Sequence, residues 1–301
     1  MTHCILVNNL SKTFFLKDKN GTKEIKAVKT ISFQIKSGTC VAFIGPNGAG
    51  KSTTIKMLTS ILYPTSGSAE ILGMDPWKER RQLMYSIGAV FGQRSQLWYH
   101  LPARQSFDLI ASIYDIPDNK AKSWTNDLIC RFDLKTLVDK PVRSLSLGER
   151  MRCEIVASLI HQPKVLFLDE PTIGLDVEAK NMIRNLLSDL MKQDGTTVLM
   201  TSHDTGDIEH LCERVLMINH GTLILDTTVS DMKKNYLTNK DVVITYVDGT
   251  QKTIQMTSEQ SINNEISALI NKKPIRDISI TNPPLEEIIR TLYQKKDKKY
   301  E

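Results

Sequence analysis

The sequence predicts an α/β fold, and two observations carry that prediction. Residues 40–44 form a short apolar run before a glycine-rich loop, and apolar residues then recur at helical spacing over 54–62. Farther along, the apolar runs 165–168 and 197–200 lie on either side of a helical pattern around 180–192. Apolar runs without alternation are typical of parallel strands that are buried on both faces. Strands and helices that alternate in this way predict a parallel sheet covered by helices.

The glycine-rich loop predicts a binding site for the phosphates of a nucleoside triphosphate. It has the pattern GxxxxGK[ST] between a strand and a helix, which is the context that this motif requires. Glycines let the backbone wrap around a polyphosphate, with N–H groups and the helix N-terminus facing the anion. In this pattern Lys51 reaches the β- and γ-phosphates, and the Ser52 hydroxyl binds Mg²⁺. The residues predicted to bind the nucleotide are Gly45, Pro46, Asn47, Gly48, Ala49, Gly50, Lys51, Ser52 and Thr53.

Two further segments are expected to surround this core. The first 40 residues predict short strands at 5–7 and 31–35, separated by a polar segment with a hairpin signal at Asn20. Residues from about 95 to 150 predict a helical insertion between the two halves of the sheet, in which Pro117 separates two helices. The core is therefore expected to carry an antiparallel β subdomain and a helical subdomain.

The pattern of apolar and polar residues changes near residue 236, which predicts a second domain. Alternating residues from 242 turn at an Asp-Gly pair into another strand, the pattern of a hairpin. A polar helix at 259–271, a strand and a final helix after two prolines are expected to follow. We therefore expect a nucleotide-binding domain over 1–232 and a small α+β domain over 236–301.

Composition favours an ordinary globular protein in a reducing compartment. Of the 301 residues, 41% are hydrophobic and 24% are charged, and the formal net charge is +5. The longest apolar runs are far shorter than the ~20 residues of a membrane span, and the N-terminus lacks a signal-peptide pattern. Five cysteines without a CxxC pair indicate thiols that pack as small hydrophobic groups, with a catalytic thiol as the disfavoured alternative. The basic run at 295–299 is expected to be solvated, and its contact with nucleic acid or lipid is a minor alternative.

A pair of carboxylates after the apolar run 165–168 predicts that the bound nucleotide is hydrolysed. Asp169, at the end of a buried strand, can hold Mg²⁺ beside the phosphate loop. Glu170 brings a second carboxylate to the γ-phosphate, where it can polarise an attacking water as a general base. A pair that only caps the strand end is the alternative.

Further motifs, in one order along the chain, resemble those of the ATP-binding subunits of ATP-binding cassette transporters. The letters LSLGE at 145–149 stand where that family has its LSGGQ signature, and 173–176 resembles its D-loop. Residues 201–204 resemble the segment of its switch histidine, and 91–93 resembles its Q-loop. The resemblance covers roughly residues 1–230 and implies a P-loop ATPase core with ATP and Mg²⁺ as cofactors.

The resemblance also implies roles for single residues. Phe14 resembles the aromatic residue that stacks on adenine, and Phe15 is the alternative. Gln93 is implied to give an oxygen to Mg²⁺ or to the attacking water, in preference to Gln96. His203 is implied to bind the γ-phosphate and to help position the general base. The residues implied to act on the ATP site through the signature and the D-loop are Ser146, Gly148 and Asp176.

The signature departs from the family's commonest form at two positions. Leu147 replaces its first glycine, and Glu149 replaces its glutamine. A glutamate close to the γ-phosphate would repel it, which would give a degenerate site with slow turnover. However, Ser146 and Glu149 have the spacing of a capping box, in which the glutamate turns back to the serine N–H. We therefore expect Glu149 to cap a helix and to face away from the phosphate.

The resemblance implies a dimer and membrane partners. One chain has one phosphate loop and one signature, so two chains are expected to bind two ATP molecules head to tail, as a homodimer or as a pair with a homologous ATPase subunit. Integral membrane permease subunits are implied, and exposed apolar residues at 94–101 are expected to contact them. Packing between the helices of the insertion is the alternative for that stretch. The chain is expected to be cytoplasmic, on the cytoplasmic face of the cell membrane.

Direction of transport and an alternative class follow from the same resemblance. The segment PPLEE at 283–287 resembles the C-terminal segment of exporter-type subunits, which favours export. The alternative is a soluble cassette ATPase that acts on ribosomes or DNA. That alternative is disfavoured because the sequence has neither two cassettes nor a long coiled-coil interruption, and no nucleic-acid partner is expected.

Overall fold

The computed structural model describes residues 3–18, 21–92, 95–236, 240–256, 274–281 and 285–297. The chain divides into two compact units, Met1–Asp226 and Thr227–Glu301. Several predicted features lie outside the described residues, namely the Asn20 turn position, Gln93, the helix at 259–271, the prolines at 283–284 and the end of the basic run at 298–299.

The elements that begin in the first unit alternate between strands and helices. Its strands are β1 (His3–Asp18), β2 (Gly21–Lys36), β3 (Cys40–Ile44), β4 (Ser66–Ile71), β5 (Ile87–Phe91), β6 (Val165–Asp169), β7 (Thr197–Thr201), β8 (Arg214–Asn219) and β9 (Thr222–Thr228). Its helices are α1 (Lys51–Leu58), α2 (Arg80–Met84), α3 (Ala103–Ile113), α4 (Asp118–Arg131), α5 (Leu147–Leu159), α6 (Val177–Asp194) and α7 (Thr205–Leu211).

A six-stranded sheet with the order β5-β6-β7-β3-β8-β9 forms the centre of the first unit. The first five strands in this order pair in parallel. Strands β3 and β7 are buried along their whole length, as apolar runs without alternation predict. The predicted α/β fold with a parallel core is therefore confirmed. Because the carboxyl ends of parallel strands meet at one edge, the loops after β3, β6 and β7 lie close together there.

The last two strands of this sheet are joined by a two-residue turn. His220 and Gly221 have φ values of 46° and 77°, which is left-handed backbone at both positions. This is the conformation of a type I′ turn, whose twist suits a tight hairpin. The His220-Gly221 pair thus forms the turn of a tight hairpin between β8 and β9.

A second, antiparallel sheet of the first unit has the order β2-β1-β4. Its strands β1 and β2 are much longer than the two short strands predicted, and they pair as far as Asp18 with Gly21. The inner part of this ribbon buries Ile5 and Ile35, whereas the outer part leaves Phe15 exposed. Backbone pairing and cross-strand contacts extend the ribbon beyond the core, and apolar alternation gives no sign of that extension.

The helical insertion follows the predicted pattern. Pro117 lies directly before α4, where it separates that helix from α3. Helix α3 buries Phe107 and Ile110 and leaves Leu109 and Ile113 exposed. The sequence pattern does not predict α2 and α7, which have five and seven residues, because so few turns show no clear period.

The second unit contains another antiparallel sheet. Its elements are α8 (Val229–Tyr236), β10 (Lys240–Tyr246), β11 (Gln251–Met256), β12 (Ile275–Thr281) and α9 (Leu285–Asp297), and the strand order is β11-β10-β12. The predicted hairpin between β10 and β11 is present. The predicted final helix is present as α9, which buries Leu285, Ile288 and Leu292. No helix in the described part of the chain is long and apolar enough to cross a membrane.

The cysteines behave mainly as small hydrophobic groups. All five are described as free thiols, and four of them are buried, whereas Cys130 is exposed. Burial raises the pKa of the Cys153 thiol to about 12. A thiol with such a high pKa carries almost no reactive thiolate at neutral pH. Four of the five cysteines thus pack as small hydrophobic groups, as predicted.

Candidate ATP-binding site

The phosphate loop lies at the carboxyl edge of the parallel sheet, between β3 and α1. Gly50 is the N-cap of α1 and brings no side chain to accept hydrogen bonds from the first N–H groups of that helix. These groups are therefore free to face an anion. The cleft in front of them has a volume of about 400 Å³ and is lined by Ala27, Pro46, Asn47, Gly48, Gly50, Lys51, Ser52, Thr53, Gly92, Asp169, Glu170 and Ile173.

Two glycines of the loop are required by close contacts. A Cβ added at Gly45 would lie 2.4 Å from the carbonyl oxygen of Ile218. A Cβ added at Gly50 would lie 2.6 Å from the carbonyl oxygen of Ala27, and its φ of +110° disfavours other residues. At these two positions the loop thus passes β8 and β2 as bare backbone, which leaves its N–H groups accessible to a polyphosphate.

Lys51 places its ammonium at the wall of this cleft. Its Nζ atom donates to the carbonyl oxygens of Gly45 at 2.6 Å and Pro46 at 3.2 Å, and lies 3.3 Å from His203 Nε2. Burial lowers the pKa of Lys51, and the carboxylates of Glu170 and Asp169 oppose this change. The lysine is thus a positive charge held beside two carboxylates, where an incoming phosphate would meet it.

The two predicted carboxylates and the predicted histidine lie together. The Asp169 carboxylate accepts a hydrogen bond of 2.6 Å from the Thr201 hydroxyl, whose oxygen in turn accepts from the Glu170 N–H at 3.0 Å. Glu170 has a left-handed backbone, with a φ of 57°, which is uncommon for a residue other than glycine. Its Oε1 atom lies 3.0 Å from Nε2 of His203. The arrangement can hold a water between a base and the phosphates.

Thr201 is a residue of this site that sequence reasoning did not select. It fixes the Asp169 side chain and the Glu170 backbone at the same time. Its position at the end of β7, beside the end of β6, is the one signal that could have indicated this role. A threonine at a strand end is otherwise too common to be singled out.

The residues in the cleft suit Mg²⁺ bound together with a nucleotide. In the part of the chain that the structure describes, no group of three or more His, Cys, Asp or Glu side chains could hold a metal alone. Magnesium is usually bound by one or two carboxylates, waters and substrate phosphates rather than by a complete protein cage. Asp169 and Ser52 both line the cleft and offer the oxygen atoms that such a site requires.

The signature segment begins helix α5 with the predicted capping box. The Ser146 N–H donates to Oε2 of Glu149 at 2.7 Å, and the Glu149 N–H donates to the Ser146 hydroxyl oxygen at 3.2 Å. The prediction that Glu149 caps the helix is therefore confirmed. Its carboxylate is committed to the backbone of its own helix.

The signature lies beside the D-loop rather than beside the phosphate loop. Asp176 is the N-cap of α6 and accepts from the Ala179 N–H at 2.8 Å. Gly148 packs so closely on that helix that an added Cβ would lie 2.9 Å from Ala179 Cβ. Ser146, Gly148 and Asp176 line a cleft of about 260 Å³ that shares no described lining residue with the cleft of Lys51. One chain therefore contains two separate halves of the predicted site.

The aromatic residues predicted to contact adenine lie on β1. Phe14 is half-buried, and the Lys12 ammonium lies 5.2 Å from its ring centre. Phe15 is 66% exposed. Neither belongs to the described residues that line the phosphate cleft.

Sequence reasoning also missed a buried carboxylate in the signature helix. Glu154 accepts hydrogen bonds from the Ser95 hydroxyl and, at 3.1 Å, from the Gln96 N–H. Burial raises the pKa of Glu154, and these bonds oppose the change. The Gln96 side chain donates to the carbonyl oxygen of Ala89 at 3.3 Å. Helix α5 is thus tied to the segment that follows the predicted Q-loop.

Comparison with known proteins decides the family. Residues 28–173 match the family model of the ABC transporter. The chain is 32% identical, over 73% of its length, to the ABC transporter ATP-binding protein NatA of Bacillus subtilis, and covers 87% of that protein. The chain belongs to the ABC transporter family. It is also 34% identical, over 69% of its length, to the daunorubicin resistance ATP-binding protein DrrA3 of Streptomyces coeruleorubidus, of which it covers 65%.

Solved structures of ABC ATPases agree with this assignment. The protein cbiO1 from Clostridium perfringens, part of the transporter complex cbiONQ, has a TM-score of 0.66 and 29% identity, with 78% of this chain and 94% of that chain covered. A dimer of the cassette MJ0796 with ADP and Pi has a TM-score of 0.67 and 25% identity, with coverage of 75% and 98%. The chain is therefore an ATP-binding and ATP-hydrolysing subunit of an ABC transporter, with ATP and Mg²⁺ as cofactors. An action on ribosomes or DNA is not favoured.

Proposed function

We propose that two copies of this chain bind two ATP molecules between them and drive export through separate membrane subunits. The observation that carries this proposal is the separation of the Lys51 cleft from the Ser146 cleft within one chain. Two copies placed head to tail would bring each phosphate loop to the other copy's signature. Because one chain holds both halves, a homodimer suffices, although ABC cassettes also pair with homologous subunits. The dimeric MJ0796 cassette supports this arrangement by similarity.

In the proposed domain organisation, residues 1–232 form the ATPase domain and 236–301 a small C-terminal α+β domain. The helical subdomain covers about 95–150 and includes the start of the signature helix. It is therefore the part that would carry Ser146 toward the partner's nucleotide.

Within the cleft, each residue has a proposed role in hydrolysis. Lys51 and the glycine-rich backbone bind the phosphates and offset the negative charge that develops on them. Mg²⁺, held by Ser52 and Asp169 with Gln93, supplies further charge neutralisation when it is bound. Glu170 orients and deprotonates the attacking water, and His203 holds the Glu170 carboxylate in position. Contact with adenine is assigned to the Phe14 ring.

The opposite half acts on the γ-phosphate of the partner's ATP. The Ser146 hydroxyl keeps its own proton for donation, since in the capping box its oxygen serves as the acceptor. The Gly148 N–H and the D-loop residue Asp176 complete this surface. Hydrolysis removes the γ-phosphate contacts and lets the two copies separate, which is the switch that drives the membrane subunits.

Export and membrane attachment rest on relatives and on an exposed patch. Relatives with 31–34% identity are named as daunorubicin or doxorubicin resistance proteins, which supports export of a compound. After β5, the side chains of Trp98, Tyr99 and Leu101 are 41–52% exposed. We place the permease subunits on this patch and the chain on the cytoplasmic face of the cell membrane.

The oligomeric state of Glu170→Gln, measured by light scattering with and without Mg·ATP, tests the composite site. Loss of the base is expected to slow hydrolysis by about 10²-fold or more, so that ATP remains bound and holds a closed dimer. The control is Glu213→Gln, an exposed glutamate that does not line the cleft. An ATP-bound monomer would contradict closure by two copies. A dimer without ATP would point to the C-terminal domain as a permanent contact.

The variant Trp98→Ala tests the membrane contact. We expect transport to fall in membranes that contain the permease, while ATP binding is unchanged, because the side chain lies outside the phosphate cleft. Tyr63→Ala removes another exposed aromatic ring, on the segment between α1 and β4, and serves as the control. Equal loss of transport and ATP binding in Trp98→Ala would argue for a role in packing instead.

A further inference from the structure

A fully buried carboxylate, Asp207 in α7, joins two loops that carry catalytic side chains. Its Oδ2 atom accepts hydrogen bonds from the Thr172 hydroxyl and, at 2.7 Å, from the Ser202 hydroxyl. Its Oδ1 atom accepts from Nε of Arg184 at 2.7 Å. Asp207 is completely inaccessible to solvent, so each of these bonds lies in a region of low dielectric where hydrogen bonds are strong.

The two hydroxyl groups belong to the segments of the general base and the switch histidine. Thr172 follows Glu170 by two residues, and Ser202 directly precedes His203. The side chains of Glu170 and His203 lie 3.0 Å apart. One carboxylate oxygen therefore links the backbone segments on which this pair depends.

We propose that Asp207 is a positioning residue that holds Glu170 and His203 at hydrogen-bond distance during hydrolysis. The inference rests on the proposed roles of those two residues and assigns a third, which touches neither ATP nor water. A shift of either loop would lengthen the contact between base and histidine. Misplacement of a reacting group by about 1 Å can cost about 10²-fold in rate.

We call the two hydrogen bonds from Thr172 and Ser202 to Asp207 the clamp. The charges around Asp207 explain why this carboxylate can be buried. Arg184 pairs with Asp207 and also donates to Oδ1 of Asp204 at 2.8 Å. Lys180 donates to the other oxygen of Asp204 at 2.6 Å. Burial raises the pKa of Asp204, but its bond to Lys180 and the charge of Arg184 lower it overall. Two carboxylates are thus matched by two cations, which keeps the burial of charge tolerable.

A purely structural reading of the cluster makes a different prediction. The Arg184 pair alone would join α6 to α7, and its loss would reduce stability and every activity in parallel. The two hydroxyl bonds on one oxygen add nothing to the joining of the helices. They do restrict the segments beside Glu170 and His203, which predicts an effect on turnover that is separate from ATP binding.

The test compares the variants Asp207→Asn and Glu170→Gln in the full-length protein. Asp207→Asn is expected to lower kcat by about 10²-fold, with the Kd of ATP changed by no more than about threefold, because the clamp acts on the reacting groups. In the Glu170→Gln background, it should lower kcat no further. The control Asp226→Asn removes the carboxylate that pairs with Arg214, and should leave kcat unchanged.

Milder variants keep the proposal testable if Asp207→Asn does not fold. Thr172→Val and Ser202→Ala each remove one hydroxyl, and their effects on kcat should be less than additive when combined, since either loss releases the clamp. Additive losses, or losses in kcat and ATP binding that follow the loss of thermal stability, would overturn the role of Asp207. Wild-type turnover in Glu170→Gln would instead overturn the proposed general base, which is a separate failure.

Discussion

The N-termini of α1 and α5 are the two places where this chain is proposed to contact phosphate. They differ in the hydrogen-bond partners that their first N–H groups have within the chain. Helix α1 starts at Gly50, which offers no side chain to its first N–H groups. Helix α5 starts at Ser146, where a capping box satisfies the N–H groups of both Ser146 and Glu149. Every helix leaves four such N–H groups without an intrahelical partner. The first end thus leaves its N–H groups to an anion or to water, whereas at the second end two of these N–H groups already have side-chain partners.

The two helix ends also differ in the charged side chains that line the clefts beside them. The cleft at α1 contains Lys51 together with the carboxylates Asp169 and Glu170. The cleft at α5 contains Glu149, whose carboxylate is engaged with its own helix. The comparison supports the proposal that the α1 end binds and hydrolyses ATP, and that the α5 end adds contacts only when a partner brings a phosphate to it.

Removal of the lysine at the α1 end is expected to have the largest effect. In Lys51→Ala, hydrolysis should fall by at least about 10²-fold, because one preorganised donor to the phosphates is lost. Affinity for Mg·ATP, measured by titration calorimetry, should fall as well. Lys56→Ala is the matched control, since Lys56 lies in the last turn of the same helix and is exposed. Tight ATP binding in Lys51→Ala would show that the loop backbone alone holds the nucleotide.

A change at the α5 end is expected to act on the dimer and not on the isolated chain. Ser146→Ala removes a cap acceptor, which costs about 1 kcal/mol of stability, typically 0.5–2. It also removes a donor to a charged phosphate, which is worth about 1.5–3 kcal/mol, so hydrolysis should fall by about tenfold or more. Binding of ATP by the monomer should be unchanged.

The variant Ser146→Thr sharpens this second test. Threonine also caps helices and retains the hydroxyl, so both stability and hydrolysis should recover. Thermal unfolding and steady-state hydrolysis, measured on the same samples, separate the two contributions. Equal loss of hydrolysis in both variants would mean that the Ser146 hydroxyl does not contact the partner's phosphate.

Features that depend on neighbouring residues were predictable from the sequence, and this includes both helix ends. The strand, loop and helix around Lys51 and the box of Ser146 and Glu149 are set within a few positions along the chain. By contrast, the bond of Thr201 to Asp169 joins residues 32 positions apart, and that of Thr172 to Asp207 joins residues 35 apart. Such residues come together only in the folded sheet, and no local sequence pattern predicts these contacts.

The antiparallel ribbon shows a second limit of sequence reasoning. Strands β1 and β2 continue through exposed positions such as Phe15, where no core contact produces an apolar alternation. Their extension is stabilised by the ladder of backbone bonds, which every residue except proline can make. Composition therefore cannot indicate where the ribbon ends.

The smallest expected effect concerns the glutamate that makes this signature unusual. Glutamine also completes a capping box, so Glu149→Gln should preserve the cap and change stability by only a few tenths of a kcal/mol. Because the Glu149 carboxylate already binds the Ser146 N–H, hydrolysis should change by less than about threefold. Steady-state hydrolysis at low and high salt measures this, and Glu149→Ala, which loses the bond to Ser146, shows the cost of an incomplete box. A rise of about tenfold or more in Glu149→Gln, which corresponds to about 1.4 kcal/mol, would mean that the carboxylate repels the partner's phosphate. Charge repulsion would then weaken phosphate binding at the α5 end, and the capping box would not keep the Glu149 carboxylate from acting on that phosphate.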